Sequence, residues 1–314
     1  MSDALDATPF PPALAIVGPT AVGKSESAIR IAEAVGGEII SADSRQFYRG
    51  MDIGTAKVSA EEQARVPHHM IDICDPHEAL TLADFQAQSY AQMAQISTRG
   101  KLPMLVGGTG LYLKAVIEGY GIPRVPPHDE LRASLFDVAD REGHAALHAR
   151  LAAVDAEAAA RIDSRNVRRV VRALEVYELS GTPISVLQRK RPPPYRFLTI
   201  GLTRPRESLY ARVDQRIARM LALGFIAETQ RLLAAGIAAD SEAMTALGYR
   251  ECVAFLKGEI DDEAALAAAI GQSTRRFIRG QANWFRKSDP RIRWFDLDKE
   301  RVEAILTFVQ AWLT

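Results

Sequence analysis

Residues 18–25 read Gly-Pro-Thr-Ala-Val-Gly-Lys-Ser, which sets two glycines, a lysine and a hydroxyl at the spacing G-x-x-x-x-G-K-[ST]. Each part has a chemical reason. Gly18 and Gly23 let the backbone curl so that successive N–H groups turn inward on an anion. A helix that starts at the loop adds unpaired N–H groups and a partial positive charge. Lys24 brings a full cation, and the Ser25 hydroxyl can ligate Mg²⁺. Together Gly18, Pro19, Thr20, Ala21, Val22, Gly23, Lys24 and Ser25 form a cradle for a di- or triphosphate; a bare glycine turn is the alternative.

Other reactive groups follow at defined places. Asp43 stands at the end of an apolar stretch, and the segment 43–57 after it is rich in donors and acceptors, as binding loops are. Gly107-Gly108-Thr109-Gly110 closes a second apolar stretch and reads either as a ligand contact or as a tight turn. The adjacent His68 and His69 point opposite ways on a strand, so they do not chelate one metal together. An absence is informative too. A phosphate-loop ATPase usually ends a later strand on an Mg²⁺-binding Asp. Met104-Leu-Val-Gly-Gly ends on glycines instead, leaving Asp43 as the best-placed carboxylate.

These groups need elements to position them. Residues 14–17 predict a buried strand, and Ala28, Ile29, Ala32 and Val35 predict one face of the helix after the loop, stopped at Gly36-Gly37. Residues 38–43 predict a second strand, 70–73 a short one, 82–98 a helix, and 102–106 another buried strand. Proline clusters at 122–127 and 189–195 bracket Ala-rich helical patterns without a strand. The sheet resumes at 197–202, and helices follow at 210–223 and 226–233. A donor-rich turn spans 245–250, an edge strand 293–297 and a closing helix 300–313. The expected fold is α/β, a parallel-sheet core like that of P-loop NTPases, flanked by helices, with an inserted all-helical lobe and a helical C-terminal part. The division is 13–123 for the first part of the core, 124–194 for the lobe and 195–314 for the second part.

Two stretches of the chain are basic. Arg161, Arg165, Arg168, Arg169 and Arg172 cluster in the lobe, four of them at helical spacing. Residues 271–287 carry Arg275, Arg276, Arg279, Arg286 and Lys287 beside Phe277, Trp284 and Phe285, with no acid. On one helix this is a stripe for nucleic acid, or a plain basic amphipathic helix. Formal net charge is zero, so such binding must come from local clusters. The two cysteines, Cys74 and Cys252, are too few and too far apart for a disulfide framework or zinc finger, which fits a reducing cytoplasm. No apolar run approaches a membrane span. Residues 1–12, acidic and proline-rich, predict a disordered lead-in without signal or transit character.

Taken in order, GPTAVGKS, IISADSRQFYRGMDIGTAK, GGTGLY, RRVVRALEVYELSG, ALGYRE and RRFIRGQANWFRK resemble the motifs of bacterial tRNA dimethylallyltransferases across about residues 13–290. The eukaryotic branch carries a C-terminal zinc finger, for which this chain has no cysteines. The resemblance implies transfer of a dimethylallyl group from dimethylallyl diphosphate to N6 of the adenosine 3′ of the tRNA anticodon, with release of pyrophosphate. It implies that the nucleotide-type (ATP-binding) loop grips the donor's diphosphate, with Mg²⁺ near Ser25. Asp43 matches the base, Thr109 the contact to the target nucleotide, and Arg216 an added cation. Asp43, Ser44, Arg45 and Gln46 would bond the flipped base. Arg132, Arg168, Arg169, Val170, Val171 and Arg172, with Thr245, Ala246, Leu247, Gly248, Tyr249, Arg250, Arg275 and Arg279, would hold the anticodon arm. A cytoplasmic monomer is expected. The rivals are an adenylate prenyltransferase acting on a free nucleotide, a P-loop small-molecule kinase, and a noncatalytic RNA-binding protein.

Overall fold

The computed structural model describes residues 10–314, so most of the expected lead-in, residues 1–9, lies outside the described residues. Pro12 already belongs to the first strand, because the Arg196 N–H donates to the Pro11 carbonyl and Pro12 pairs with Arg196. The chain runs β1 (Pro12–Val17), α1 (Lys24–Val35), β2 (Gly37–Ser41), α2 (Ala60–Arg65), β3 (His68–His69), α3 (Leu82–Thr98), β4 (Leu102–Gly107) and α4 (Gly110–Ile117). Next come five helices: α5 (Asp129–Glu142), α6 (His144–Val154), α7 (Ala156–Arg161), α8 (Val167–Ser180) and α9 (Ile184–Leu187). The remainder is β5 (Arg196–Thr203), α10 (Arg206–Ala222), α11 (Phe225–Ala234), α12 (Tyr249–Leu256), α13 (Glu263–Gln281), β6 (Ile292–Asp296) and α14 (Val302–Leu313). None of the helices among the described residues is long and apolar enough to cross a membrane.

The six strands form one parallel sheet in the order β3-β2-β4-β1-β5-β6. The centre is β1, whose Leu14 pairs with Met104 on one side and Leu198 on the other. Residues 13–17 are wholly buried, as a strand covered on both faces requires. Because all strands are parallel, the loops after β1, β2 and β4 open on one edge of the sheet, where α/β folds place their ligands.

Several elements differ from the sequence reading. The short strand is the histidine pair itself, not 70–73. His68 and His69 pair with Ile39 and Ile40, and positive φ at Met70 and Asp72 then turns the chain away. The two rings face different partners: His68 Nδ1 lies 2.7 Å from the Val66 carbonyl, His69 Nε2 2.7 Å from Glu38. Helix α2 is not anticipated; a Ser59–Glu62 capping box starts it, and it has no buried residue to give periodicity. The 43–57 loop is donor-rich yet deeply set, with Phe47, Tyr48, Met51 and Thr55 buried. Helix α13 ends at Gln281, so Trp284, Phe285, Arg286 and Lys287 lie beyond the helix in the turns that lead to β6.

Two compact units make up the chain: residues to Ile117 with Pro193–Thr314, and Glu118–Pro192. The second is all helical, with a core that includes Leu135, Leu147, Leu151, Val170, Val171 and Leu174. At its heart Glu175, fully buried, receives Arg132 Nε at 2.8 Å, Arg172 Nη1 at 2.6 Å and the His128 N–H at 2.8 Å. Burial alone would raise the Glu175 pKa, but the bonds from Arg132, Arg172 and His128 outweigh it and the net shift is downward. Arg161 ends α7 and Arg165 precedes α8, so neither shares the arginine face of that helix.

Candidate active site

The phosphate loop joins β1 to α1. Gly23 takes φ 109°, a left-handed geometry that favours glycine, and Lys24 opens the helix. The Lys24 ammonium donates to the Gly18 carbonyl at 3.0 Å and the Pro19 carbonyl at 2.8 Å. Desolvation lowers its pKa from 10.5 to about 8; Asp43 pulls it back up and Arg216 pushes it down. Two arginines brace the loop from outside: Arg212 Nε donates to Ala21 O at 2.8 Å and Arg204 Nε to Val22 O at 2.9 Å. Gln281, at the end of α13, accepts the Thr20 N–H at 2.9 Å and donates to Gly108 O at 2.9 Å, stapling the loop to the glycine turn after β4.

Two cavities meet here. One, of about 960 Å³, is lined by Lys24, Ser25, Asp43, Gln46, Arg212, Arg216 and Arg219. The other, of about 520 Å³, joins Ser44, Arg45, Thr109, Thr245, Ala246 and Leu247 to an apolar wall that includes Leu111, Val213, Ile217 and Trp284. Thr20, Asp43, Thr55, Arg216 and Met220 line both. Asp43 and Arg216 therefore stand at the junction of a polar space of mixed charge, which holds Lys24 and the phosphate loop, and a mixed apolar and polar one.

The polar groups around the junction are held in place. Thr109 Oγ1 accepts the Ser44 N–H at 3.2 Å, and the Asp43 carboxylate accepts the Arg45 N–H at 3.0 Å. Gln46 accepts from Ser41 Oγ at 3.0 Å and donates to Thr55 O at 3.4 Å. Arg45 reaches across to the carbonyl of Glu242 at 2.7 Å. Arg216 Nη2 donates to Thr55 O at 3.2 Å; burial lowers its pKa and Asp43 opposes that shift.

Other residues named from sequence sit elsewhere or do other work. Val170, Val171 and Tyr249 are buried, because each packs into a core, so their side chains offer nothing to a ligand. Gly248 is likewise buried. The fork of Arg132 is taken up by Glu175, and Arg172 divides its donors between Glu175 and the Val125 carbonyl. Arg250 pairs with Glu251 at 2.9 Å. Arg275 pairs with Asp214 and lies over the Tyr210 ring. Arg168, Arg169 and Arg279 are exposed. Sequence reading missed Arg204 and Gln281, which serve the loop from far along the chain. Arg212 lies within the helix expected over 210–223, where its spacing of four from Arg216 puts both on one face.

No cluster of three or more His, Cys, Asp or Glu side chains suited to a metal occurs among the described residues. Mg²⁺ needs less than that: it keeps several waters and takes one or two protein oxygens with substrate phosphates. The exposed Ser25 hydroxyl and the Asp43 carboxylate in one cavity fit such a partial shell.

The IPP transferase family model matches residues 46–288, starting after the phosphate loop. A tRNA dimethylallyltransferase of Chloroflexus aggregans is 56% identical over 274 residues, 87% of this chain and 92% of that one. Another, from Roseiflexus sp., is 48% identical over 303 residues, covering 96% and 99%. Among solved structures, the tRNA isopentenylpyrophosphate transferase of Bacillus halodurans superposes with TM-score 0.70 at 40% identity, covering 96% of each chain. A eukaryotic dimethylallyltransferase acting on tRNA shares the fold, with TM-score 0.83 at 23% identity over 96% of this chain and 79% of that one. A parallel sheet with a phosphate loop at its ligand edge, and relatives matched nearly end to end, lead to one conclusion: the chain belongs to the IPP transferase family of tRNA-modifying prenyltransferases.

Proposed function

We propose that this prenyltransferase moves the dimethylallyl group of dimethylallyl diphosphate to N6 of the adenosine 3′ of the anticodon in tRNA. The observation that carries the reading is the double cavity, with Asp43 and Arg216 lining both halves. The donor's diphosphate lies against Lys24, Ser25, the loop amides and Arg216, and the adenosine enters from the side of Thr109 and Leu247. That base must leave its stack to reach the junction. N6 forms the new bond to the allylic carbon as the carbon–oxygen bond breaks, and the electron pair leaves with pyrophosphate. Its developing charge is met by Lys24 and Arg216. Because the N6 lone pair is delocalised into the ring, the amine is a weak nucleophile, and Asp43 takes its proton during attack. Ser44, Arg45, Gln46 and Thr109 orient the base.

Mg²⁺, when bound through Ser25 and the phosphates, supplies further neutralisation of the leaving group. Arg168, Arg169 and Arg279, all exposed, meet RNA phosphates, with the helical lobe expected over 124–194 as one support for the anticodon arm. Arg132 and Arg172 contribute indirectly, by holding the lobe together around Glu175. We propose that the enzyme works on tRNA in the cytoplasm as a monomer.

The test is mass spectrometry of tRNA after incubation with enzyme, dimethylallyl diphosphate and Mg²⁺, with AMP as competing acceptor. One prenyl group on the adenosine beside the anticodon is expected. Prenylation of AMP alone, or transfer of γ-phosphate from ATP to a small molecule, would replace this reading with one of its rivals.

A further inference from the structure

Glu228 on α11 is buried, 3% exposed, and among the described residues none of its hydrogen-bond partners is a Lys or Arg. Its Oε2 accepts the N–H groups of Asp52 at 3.0 Å and Ile53 at 2.9 Å. Its Oε1 accepts the N–H of Gly54 at 3.1 Å and the hydroxyl of Tyr249 at 2.6 Å. Four donors thus converge on two oxygens, so the hydrogen-bonding capacity of the buried carboxyl group is met by the loop amides and one phenol. Burial, and then the neighbouring Glu228, keep the Tyr249 phenol protonated far above its ordinary range, so it stays a donor.

The same socket grips the loop sterically. Phe225 and Tyr249 meet edge to face at 4.8 Å, and a Cβ at Gly54 would stand 2.2 Å from Phe225 and 2.4 Å from Tyr249. Only glycine lets the backbone pass this close. One residue later, the Thr55 carbonyl receives both Arg216 Nη2 and Gln46 Nε2. Fixing the amides of 52–54 therefore fixes the acceptor that aims two groups of the site.

We propose that Glu228 is a positioning residue: its carboxylate clamps the Asp52–Gly54 amides and thereby holds the Thr55 carbonyl that orients Arg216 and Gln46 at the cavity junction. This rests on the reading of Arg216 as the cation that meets the leaving pyrophosphate. Glu228→Gln keeps the shape but turns an –NH₂ donor toward N–H or O–H donors. Glu228→Asp keeps the charge and shortens the reach.

The experiment uses the full chain with tRNA and dimethylallyl diphosphate. Steady-state kinetics are measured for Glu228→Gln and Glu228→Asp, each also combined with Arg216→Ala, together with amide hydrogen exchange over residues 52–54. Glu228→Gln is expected to lower kcat/KM for the donor by about a hundredfold, the scale of a group misplaced by an ångström, while the KM for tRNA changes less than about twofold. Glu228→Asp should regain part of that loss. In the Arg216→Ala background Glu228→Gln should cost less than about threefold more, since both act through one contact. Amides 52–54 should lose protection in Glu228→Gln while α11 and α12 keep theirs. Unchanged protection of 52–54, a full additional loss on top of Arg216→Ala, or a rise in the KM for tRNA as large as the loss in kcat/KM for the donor would overturn the clamp. Tyr249→Phe, which removes one of the four donors, gives the same exchange readout should Glu228→Gln not fold. If Arg216→Ala leaves donor kinetics unchanged, the reading of Arg216 falls, and the exchange pattern still decides whether Glu228 holds the loop.

Discussion

Raising the pH should loosen the donor before it affects the RNA, and Lys24 sets the scale. Desolvation holds the ligand-free Lys24 pKa at about 8, against 10.5 for a free lysine. If the diphosphate binds only the protonated form, Kd grows as 1 + 10^(pH − pKa). It is about doubled at pH 8 and about tenfold higher at pH 9 than at pH 7, a change of about 1.4 kcal/mol. The bound diphosphate raises the pKa again, so binding at pH 8 takes up about half a proton. The assay is calorimetry with an unreactive thiodiphosphate analogue of the donor, in buffers of different ionisation enthalpy. Lys24→Ala should weaken the analogue by about 2 kcal/mol, the value of a charge-assisted bond, and abolish the pH dependence. Its tRNA affinity should be nearly unchanged. The sign for stability is opposite to that for binding. Between about 8 and 10.5 the unfolded chain binds the proton that the ligand-free fold has lost, so the fold gains stability as pH rises through that window. A donor Kd that stays flat from pH 7 to 9, or that rises equally in Lys24→Ala, would refute the reasoning.

Asp43→Asn keeps size and polarity but cannot take the proton. It should lower kcat by roughly a hundredfold or more with little change in donor affinity, and rescue of the rate by excess Mg²⁺ would make Asp43 a metal ligand instead. Affinity for tRNA should fall steeply with salt, and Arg279→Ala should reduce both the affinity and the slope of log K against log salt; a slope unchanged by that variant would remove Arg279 from the interface. Glu175→Ala leaves the part-exposed Arg132 and Arg172 without their buried partner and should cost the helical unit about 1–3 kcal/mol, seen as an early transition in denaturant. The Glu175 pKa is held below its unfolded value, so its contribution is present above about pH 4.5 and is lost as acid takes the pH down through the folded pKa. An early acid transition equal in wild type and Glu175→Gln would count against that assignment.

The parts of the site legible in the sequence are those whose signal is local. The glycine spacing of 18–25 forces a curl whatever surrounds it, and buried strands such as 14–17 and 102–106 announce themselves as unbroken apolar runs. Asp43 was legible because it follows such a run. What sequence hid is nonlocal. Gln281 meets Thr20 across 261 positions, and Glu228 meets Ile53 across 175, with no periodicity to link them. Tyr249 shows the reverse error: an aromatic hydroxyl in a polar turn reads as a ligand contact, but here its partner is an internal carboxylate. Arg132 and Arg172 mislead in the same way, because a basic helix facing a buried Glu looks in sequence like one facing solvent. Helix α13 is shorter than its sequence pattern suggests, because the basic and aromatic residues run on through the turns that follow Gln281.

The strand order has a consequence for synthesis on the ribosome. β1 finds its neighbour β4 early, but its other edge waits for β5, which begins at Arg196. At ordinary rates of about 5–20 residues per second, that edge stays unpaired after β4 is complete for roughly four to twenty seconds while the helical unit emerges and folds from contacts among its own helices. During that interval the most apolar strand of the protein is a bare template for pairing with another chain. The nascent polypeptide is thus most exposed to aggregation between completion of β4 and arrival of β5, and slowing translation within 118–192 should lower the yield of native protein more than slowing it after β6.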